Sequence, residues 1–150
     1  MCIRDSLPDD IGDAWLVLGY SGTGSPTGRM VAKVATLISE SPRRMQEMEA
    51  IANITRAGLT ALSAGNLEGL GMAMDACHES LRMLEVSTKK LDRMVSAARP
   101  HSLGAKLTGA GGGGCMVALT QDPDRVSEAI EITGGKPLQT KLGSKGVRIL

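Results

Sequence analysis

The stretch Leu107-Thr-Gly-Ala-Gly-Gly-Gly-Gly-Cys-Met-Val-Ala-Leu119 decides the fold of this chain. Five of the six positions from Gly109 to Gly114 are glycine, so the backbone there can adopt positive φ angles that side chains disfavour. Ordering such a loop costs roughly 1–2 kcal/mol per residue, so it requires compensating packing or a ligand. Apolar residues on both sides, at 105–108 and 115–120, predict two short buried strands that the loop connects.

The glycine loop is a candidate anion site, because successive backbone amides in a turn form a concave nest that holds phosphate oxygens. A flexible linker is the alternative that glycine composition alone favours. Linkers are polar on both sides, however, whereas this run lies between apolar segments. It does not match a nucleotide P-loop, since no Gly-Lys-Ser/Thr follows it and the next predicted element is a strand.

Apolar residues at helical spacing predict five helices along the chain. They are expected to begin at Ser25-Pro26, Ser41-Pro42, Asn66, Ser87 and Asp122-Pro123, where Ser25 would be an N-cap and Pro26 the first helical residue. Besides the two strands beside the loop, strands are predicted at 14–19, 138–142 and 147–150. Helices bunched early and strands late indicate an α+β fold, with helices packed on one face of a mostly antiparallel sheet.

The domain is expected to cover residues 14–150, after a leader or artefactual start at 1–13 that is expected to be poorly ordered. A net charge of +1 and only two aromatic residues, Trp15 and Tyr20, argue against nucleic-acid binding. No apolar run reaches the ~18 residues that a membrane span needs. Three cysteines without Cys-x-x-Cys spacing argue against a disulfide framework or a zinc site, and indicate a reducing, cytoplasmic setting.

One further cluster of polar residues lies at helical spacing: Asp75, His78 and Glu79 at i, i+3 and i+4. This spacing could gather a metal ion. A solvated helix face is the more frequent explanation, because side chains at these spacings meet in any helix. No metal site is therefore predicted.

The segment Gly104-Ala-Lys-Leu-Thr108, running into Gly109–Cys115, resembles the third signature motif of the GHMP superfamily of galactokinase, homoserine kinase, mevalonate kinase and phosphomevalonate kinase. Two further parts of the chain are similar to archaeal mevalonate kinases. The first comprises Gly19–Thr23, Ser25–Thr27 and Val31–Val34, and the second comprises Leu84-Glu-Val-Ser87 followed by Leu91-Asp92. The resemblance covers residues from about 15 to 150. It implies the C-terminal lobe of a two-lobed enzyme that transfers a phosphoryl group from ATP, with Mg²⁺, to a small-molecule hydroxyl in isoprenoid biosynthesis.

The resemblance also implies where the site lies. The phosphate- and substrate-facing loop would comprise Thr108, Gly109, Ala110, Gly111, Gly112, Gly113 and Gly114, and the acceptor side would comprise Ser21, Ser25 and Thr27. The N-terminal lobe of the same enzyme would bind most of the ATP and Mg²⁺ and carry the catalytic Asp, so no catalytic residue is assigned here. The chain departs from the family at Cys77-His78, where Asn-Gln is usual, and at Gly28, where a basic residue is frequent.

Three functions remain open at this stage: the C-terminal lobe of a mevalonate kinase, a related kinase with homoserine, phosphomevalonate or a sugar as acceptor, and a non-catalytic ligand-binding domain that retains the loop. A homodimer is one assembly that the resemblance allows.

Overall fold

A computed structural model describes residues 13–143. The leader expected at 1–13, apart from Asp13, and the strand expected at 147–150 lie outside the described residues. The elements in chain order are β1 (Trp15–Tyr20), α1 (Thr27–Glu40), α2 (Pro42–Ser63), α3 (Leu67–Met83), α4 (Lys89–Ala98), a single 3₁₀ turn (Arg99–His101), β2 (Gly104–Thr108), β3 (Cys115–Thr120), α5 (Pro123–Ile132) and β4 (Lys136–Lys141).

The described strands form one antiparallel sheet in the order β2-β3-β1-β4. Helices α4 and α5 pack on one of its faces, while α3 contacts β2 and α2 packs on α3. Alternate strand residues such as Val17, Met116 and Ala118 point into the core between sheet and helices, where they meet Leu91 and Ile130. The α+β prediction is confirmed, as are the two strands beside the glycine loop.

Two helix starts differ from the prediction. Helix α1 begins at Thr27, Pro26 takes the N-cap position, and no side chain caps the helix, so the prediction that Ser25 is the N-cap was wrong. Helix α4 begins at Lys89 rather than Ser87, because the Thr88 hydroxyl accepts a hydrogen bond from the Leu91 amide and is the N-cap. Asn66 and Asp122 cap α3 and α5 as predicted.

Helix α3 runs along the outer edge of β2 at close range. A Cβ on Gly71 would lie 2.1 Å from the Leu103 carbonyl oxygen, and one on Gly104 would lie 2.0 Å from the Gly71 carbonyl oxygen. The Asp75 carboxylate accepts a hydrogen bond from the Ala105 amide at 2.8 Å, and His78 Nδ1 accepts one from the Leu107 amide at 3.2 Å. The expectation of a solvated face was therefore wrong for His78, which is buried.

The last described strand also differs from the prediction, since β4 runs over Lys136–Lys141 rather than 138–142. Its residues are mostly exposed, and 66% of Leu138 is exposed. Strand β4 pairs only with β1 among the described strands, so its outer side lacks the neighbours that bury β3. None of the helices within residues 13–143 has the length and apolar character to cross a bilayer.

Candidate functional site: the glycine loop and its adjoining pocket

Sheet pairing brings the predicted acceptor segment beside the glycine loop. Strands β1 and β3 are antiparallel with Tyr20 opposite Cys115, so the residues that follow β1 run next to the loop that precedes β3. The Ser21 amide donates to the Gly114 carbonyl oxygen at 2.9 Å, and the Gly114 amide donates to the Thr23 carbonyl oxygen at 2.6 Å. Two of the segments that the sequence marked are therefore in direct contact.

The glycine loop has the backbone conformation that its composition predicts. Gly109 and the run 111–114 all have positive φ, from 70° to 125°. Gly111 is buried, and a Cβ there would lie 2.1 Å from the Val86 carbonyl oxygen. A side chain at this position would meet both backbone strain and a backbone clash, which explains why glycine occupies it.

Two loop amides are committed to the protein itself. The Gly112 amide donates to the Val86 carbonyl oxygen at 2.7 Å, and the Gly114 amide donates to Thr23. These two amides are not free, contrary to the sequence-based expectation for the loop as a whole. The amides of Gly109, Ala110, Gly111 and Gly113 have no hydrogen-bond partner among residues 13–143. These four amides, rather than all the amides of the loop, are therefore available to bind an anion.

A pocket of about 490 Å³ adjoins the loop at Gly112. One wall is the start of α1 and the other is the connection from α3 to α4. The lining residues are Ser25, Arg29, Met30, Lys33, Glu85, Ser87, Thr88 and Gly112. Polar and charged side chains predominate in this set, so the pocket suits a hydrophilic ligand.

The charges around the pocket are unequally neutralised. Lys33 Nζ donates to the Glu85 carbonyl oxygen at 2.7 Å and lies 3.6 Å from its carboxylate, which also pairs with Arg44 at 2.7 Å. Arg29, in contrast, has no ion-pair partner within the described part of the chain. Arg29 is thus the cation most available to a carboxylate or phosphate in the pocket.

A hydrogen-bonded network supports the Ser87 side of the pocket. The Ser87 hydroxyl donates to Asp92 Oδ1 at 2.5 Å. His78 Nε2 lies 3.4 Å from the same oxygen, and Arg82 Nε lies 3.4 Å from Asp92 Oδ2. Since His78 Nδ1 accepts from the Leu107 amide, the network links the pocket wall to the strand that leads into the glycine loop.

Burial lowers the pKa of His78 from its ordinary value, and the positive charge of Arg99 lowers this pKa further, against the opposing effect of Asp92. The neutral form is therefore favoured in the folded protein. In that form Nδ1 accepts a hydrogen bond and Nε2 carries the proton, which is the tautomer that the two partners require.

The three predicted acceptor-side residues occupy different positions. Ser25 lines the pocket. Ser21 is buried, and its hydroxyl donates to the Thr23 carbonyl oxygen at 3.1 Å. It therefore stabilises the segment that contacts the glycine loop. Thr27 is the exposed first residue of α1 and does not line the pocket. At the other side, Thr108 ends β2 immediately before the loop and is half-buried.

Sequence reasoning missed six pocket residues: Arg29, Met30, Lys33, Glu85, Ser87 and Thr88. Signals for four of them were present. Arg29 is one residue beyond Gly28, where the family resemblance led us to expect a basic side chain, and Lys33, Glu85 and Ser87 lie in segments that match the family. Within residues 13–143 no three His, Cys, Asp or Glu side chains are grouped so that they could hold a metal ion.

Comparison with known families decides the membership of the chain. Residues 59–133 match the family described as GHMP kinases C terminal. This chain belongs to the GHMP kinase family. Its helices and four-stranded antiparallel sheet form the fold of the GHMP kinase C-terminal domain.

The curated relatives include mevalonate kinases of archaea. The chain is 39% identical over 142 residues to "Mevalonate kinase" of Pyrococcus furiosus, covering 89% of this chain and 42% of the relative. It is 37% identical over 132 residues to "Galactokinase" of Exiguobacterium sibiricum, covering 86% of this chain and 30% of that protein. The chain thus spans less than half the length of these curated GHMP relatives.

Solved structures show the same fold. The L. major mevalonate kinase in complex with R-mevalonate aligns with a TM-score of 0.73 and 31% identity, covering 81% of this chain and 38% of that one. The Streptococcus pneumoniae phosphomevalonate kinase in complex with phosphomevalonate and AMPPNP aligns with a TM-score of 0.74 at 20% identity, covering 87% of this chain and 40% of that one. The latter supports the GHMP fold alone.

Proposed function

We propose that this chain forms the C-terminal lobe of an ATP-dependent kinase that phosphorylates mevalonate in isoprenoid biosynthesis. The observation that carries the proposal is the contact between the glycine loop and the polar pocket at Gly112. A loop with unpaired amides suits phosphate oxygens, and a pocket with Arg29 at its wall suits a carboxylate. A hydroxy acid such as mevalonate needs a carboxylate site next to the phosphate site, because its hydroxyl must reach the phosphoryl group while its carboxylate is bound.

Catalysis of phosphoryl transfer depends on positioning and on stabilising negative charge. In the proposal the unpaired loop amides hold phosphate oxygens, and Arg29 holds the carboxylate of the acceptor. ATP with Mg²⁺ supplies the phosphoryl group and is bound mainly by the N-terminal lobe, which also carries the catalytic Asp. The cytoplasm is the expected location.

A second candidate acceptor class is a sugar, favoured by the 37% identity to the galactokinase of E. sibiricum. A sugar has hydroxyls but no carboxylate. Arg29 would then have no anionic group of the acceptor to bind, so its charge favours the hydroxy acid.

The decisive experiment measures ADP release by the full-length protein with ATP and Mg²⁺. R-mevalonate, phosphomevalonate, homoserine and galactose are compared as acceptors. We expect kcat/KM for mevalonate to exceed that for each other acceptor by at least about tenfold. Preference for another acceptor would contradict the mevalonate assignment, and absence of turnover with all of them would favour a non-catalytic ligand-binding domain.

The isolated 150 residues are expected neither to turn over ATP nor to bind it at micromolar concentration, because one glycine loop supplies only part of the charge stabilisation that the reaction needs. Calorimetric titration with ATP and Mg²⁺ measures the affinity. Micromolar binding would show that the nucleotide site lies within this chain.

A matched pair of substitutions tests the role of the loop. A Cβ on Gly112 would lie 2.7 Å from both Met30 Sδ and Ser25 Cβ, whereas one on Gly109 meets nothing within 4 Å. Both positions have positive φ, so both substitutions to alanine carry similar backbone strain. We expect Gly112→Ala to lower kcat/KM about 100-fold by displacing the loop or the pocket wall, and Gly109→Ala to lower it much less. Equal effects would mean that strain alone matters.

A further inference from the structure

We infer that Ser87 and Thr88 are a specificity-determining pair that binds a hydroxyl group of the acceptor other than the one that is phosphorylated. The inference rests on the proposed function. In mevalonate the group concerned would be the tertiary hydroxyl, since the primary hydroxyl receives the phosphoryl group. Both residues line the pocket next to Gly112.

The Ser87 hydroxyl has one proton, and it is already used. Ser87 Oγ donates this proton to Asp92 Oδ1 at 2.5 Å. Its lone pairs are what remains for a ligand, because a hydroxyl has one donor and two acceptor sites. Ser87 is therefore set to accept a hydrogen bond from a ligand donor, and it disfavours a ligand oxygen that has only lone pairs, such as that of a phosphate.

Asp92 holds Ser87 in this state and is a positioning residue. The carboxylate can only accept hydrogen bonds, so it cannot reverse the direction of the bond from Ser87. Arg82 Nε and His78 Nε2 each lie 3.4 Å from one of its oxygens. The orientation of Asp92 is thus fixed from two sides by residues of α3.

Thr88 is in the opposite state. As the N-cap of α4, its Oγ1 accepts from the Leu91 amide at 3.2 Å, while its own proton has no acceptor within the described part of the chain. The hydroxyl proton of Thr88 is therefore available to a ligand. Neighbouring residues thus offer one acceptor and one donor, and an alcohol, which can donate and accept at once, satisfies both.

The test is a double-mutant cycle between protein and substrate, carried out on the full-length protein. Mevalonate is compared with the analogue that lacks the tertiary hydroxyl, for wild type and Ser87→Ala. We expect Ser87→Ala to raise KM for mevalonate about tenfold, with kcat changed less than about twofold, since the interaction is present in ground and transition states alike. The analogue should cost the wild type about tenfold in KM but Ser87→Ala only about twofold, because the Ser87 interaction is lost in both changes and only the one with Thr88 remains to be lost.

Losses that multiply, giving about 100-fold for Ser87→Ala with the analogue, would overturn the inference, as would an unchanged KM for mevalonate. Ser127→Ala is the matched control, because Ser127 is also a half-buried serine near a helix start and does not line the pocket; its hydroxyl donates to the Pro123 carbonyl oxygen. Its KM should equal that of the wild type.

Asp92→Asn is the second variant, because an amide can donate to Ser87 and so release the Ser87 proton. It should raise KM for mevalonate and leave KM for ATP unchanged, which a merely structural role would not predict; equal changes in both would count against positioning by Asp92.

A protein that turns over no acceptor would refute the proposed function, and the inference with it. An active protein with multiplicative losses would refute the inference alone.

Discussion

The two outer strands of the described sheet, β2 and β4, differ in what covers their outer edges. At β2, helix α3 covers the edge, and its Asp75 and His78 side chains accept hydrogen bonds from the amides of Ala105 and Leu107. At β4 no described helix covers the outer edge in this manner. Strand β4 instead carries mostly exposed residues, in the sequence Lys136-Pro-Leu-Gln-Thr-Lys141.

The geometry at β2 follows from two simple periodicities. Residues two apart on a strand face the same way, and residues three apart on a helix share a face. Asp75 and His78 therefore match Ala105 and Leu107 along one line of contact. Strand β2 leads directly into the glycine loop, so the precision of this contact fixes the entrance to the site. In β4 the lysines and the proline protect the outer strand in a different way, because both residue types disfavour pairing with another chain.

Gly71→Ala should have a large effect, because it separates α3 from β2. In an isolated helix this substitution would stabilise by about 1 kcal/mol. Here the new Cβ would lie 2.1 Å from the Leu103 carbonyl oxygen, which is backbone and cannot turn aside. We expect a net loss of about 2–3 kcal/mol in the free energy of unfolding, measured by urea denaturation.

Gly58→Ala is the control for this substitution. Gly58 is also a buried helical glycine, but a Cβ there would meet the Ala73 Cβ at an ordinary 3.4 Å. Helix propensity should then dominate, and the variant should be as stable as the wild type or slightly more so. Equal stabilisation by both substitutions would show that α3 does not contact β2 as closely as described.

The His78 contact gives the β2 edge a pH dependence. Because the pKa of His78 is lowered on folding, the unfolded chain binds the proton more tightly. The contribution of His78 to the free energy of unfolding is therefore complete above the ordinary pKa of about 6.5, and it is lost as pH falls through the lowered pKa. The charged groups that face it are Asp92 on α4, Arg99 on the 3₁₀ turn, and Glu79 and Arg82 on α3.

His78→Gln removes this titration while retaining an acceptor and a donor. The free energy of unfolding of this variant should vary less than that of the wild type between pH 7 and pH 5, a range that includes the ordinary histidine pKa. Urea denaturation at a series of pH values measures the difference. Parallel pH profiles for wild type and variant would contradict the assigned role of His78.

Local patterns predicted most of the elements. Asn66 and Asp122 cap helices because their side chains satisfy nearby amides, and the glycines of the loop take positive φ because no other residue does so easily. Such effects act within a few residues of the chain. The sequence alone was therefore sufficient to locate the loop, both of its strands and the α+β arrangement.

Contacts between distant segments were not predictable in this way. The i, i+3 spacing of Asp75 and His78 was visible, but nothing local indicates that a strand about 30 residues later supplies amides to both. Ser87 was expected to begin a helix, whereas Thr88 caps α4 and frees Ser87 to bond Asp92. The pocket is made from three separate segments, so only the fold brings its lining together.

The smallest effect is expected at β4, where Leu138→Ala compares directly with Leu107→Ala in β2. Only 1% of Leu107 is exposed, so its truncation should cost about 2–5 kcal/mol in the free energy of unfolding. Leu138 is 66% exposed and already meets water, so the same truncation should cost less than about 0.5 kcal/mol. Urea denaturation of both variants in the full-length protein measures the difference. A loss at Leu138 as large as that at Leu107 would mean that part of the protein beyond residues 13–143 covers β4, and that both outer strands are protected by packing.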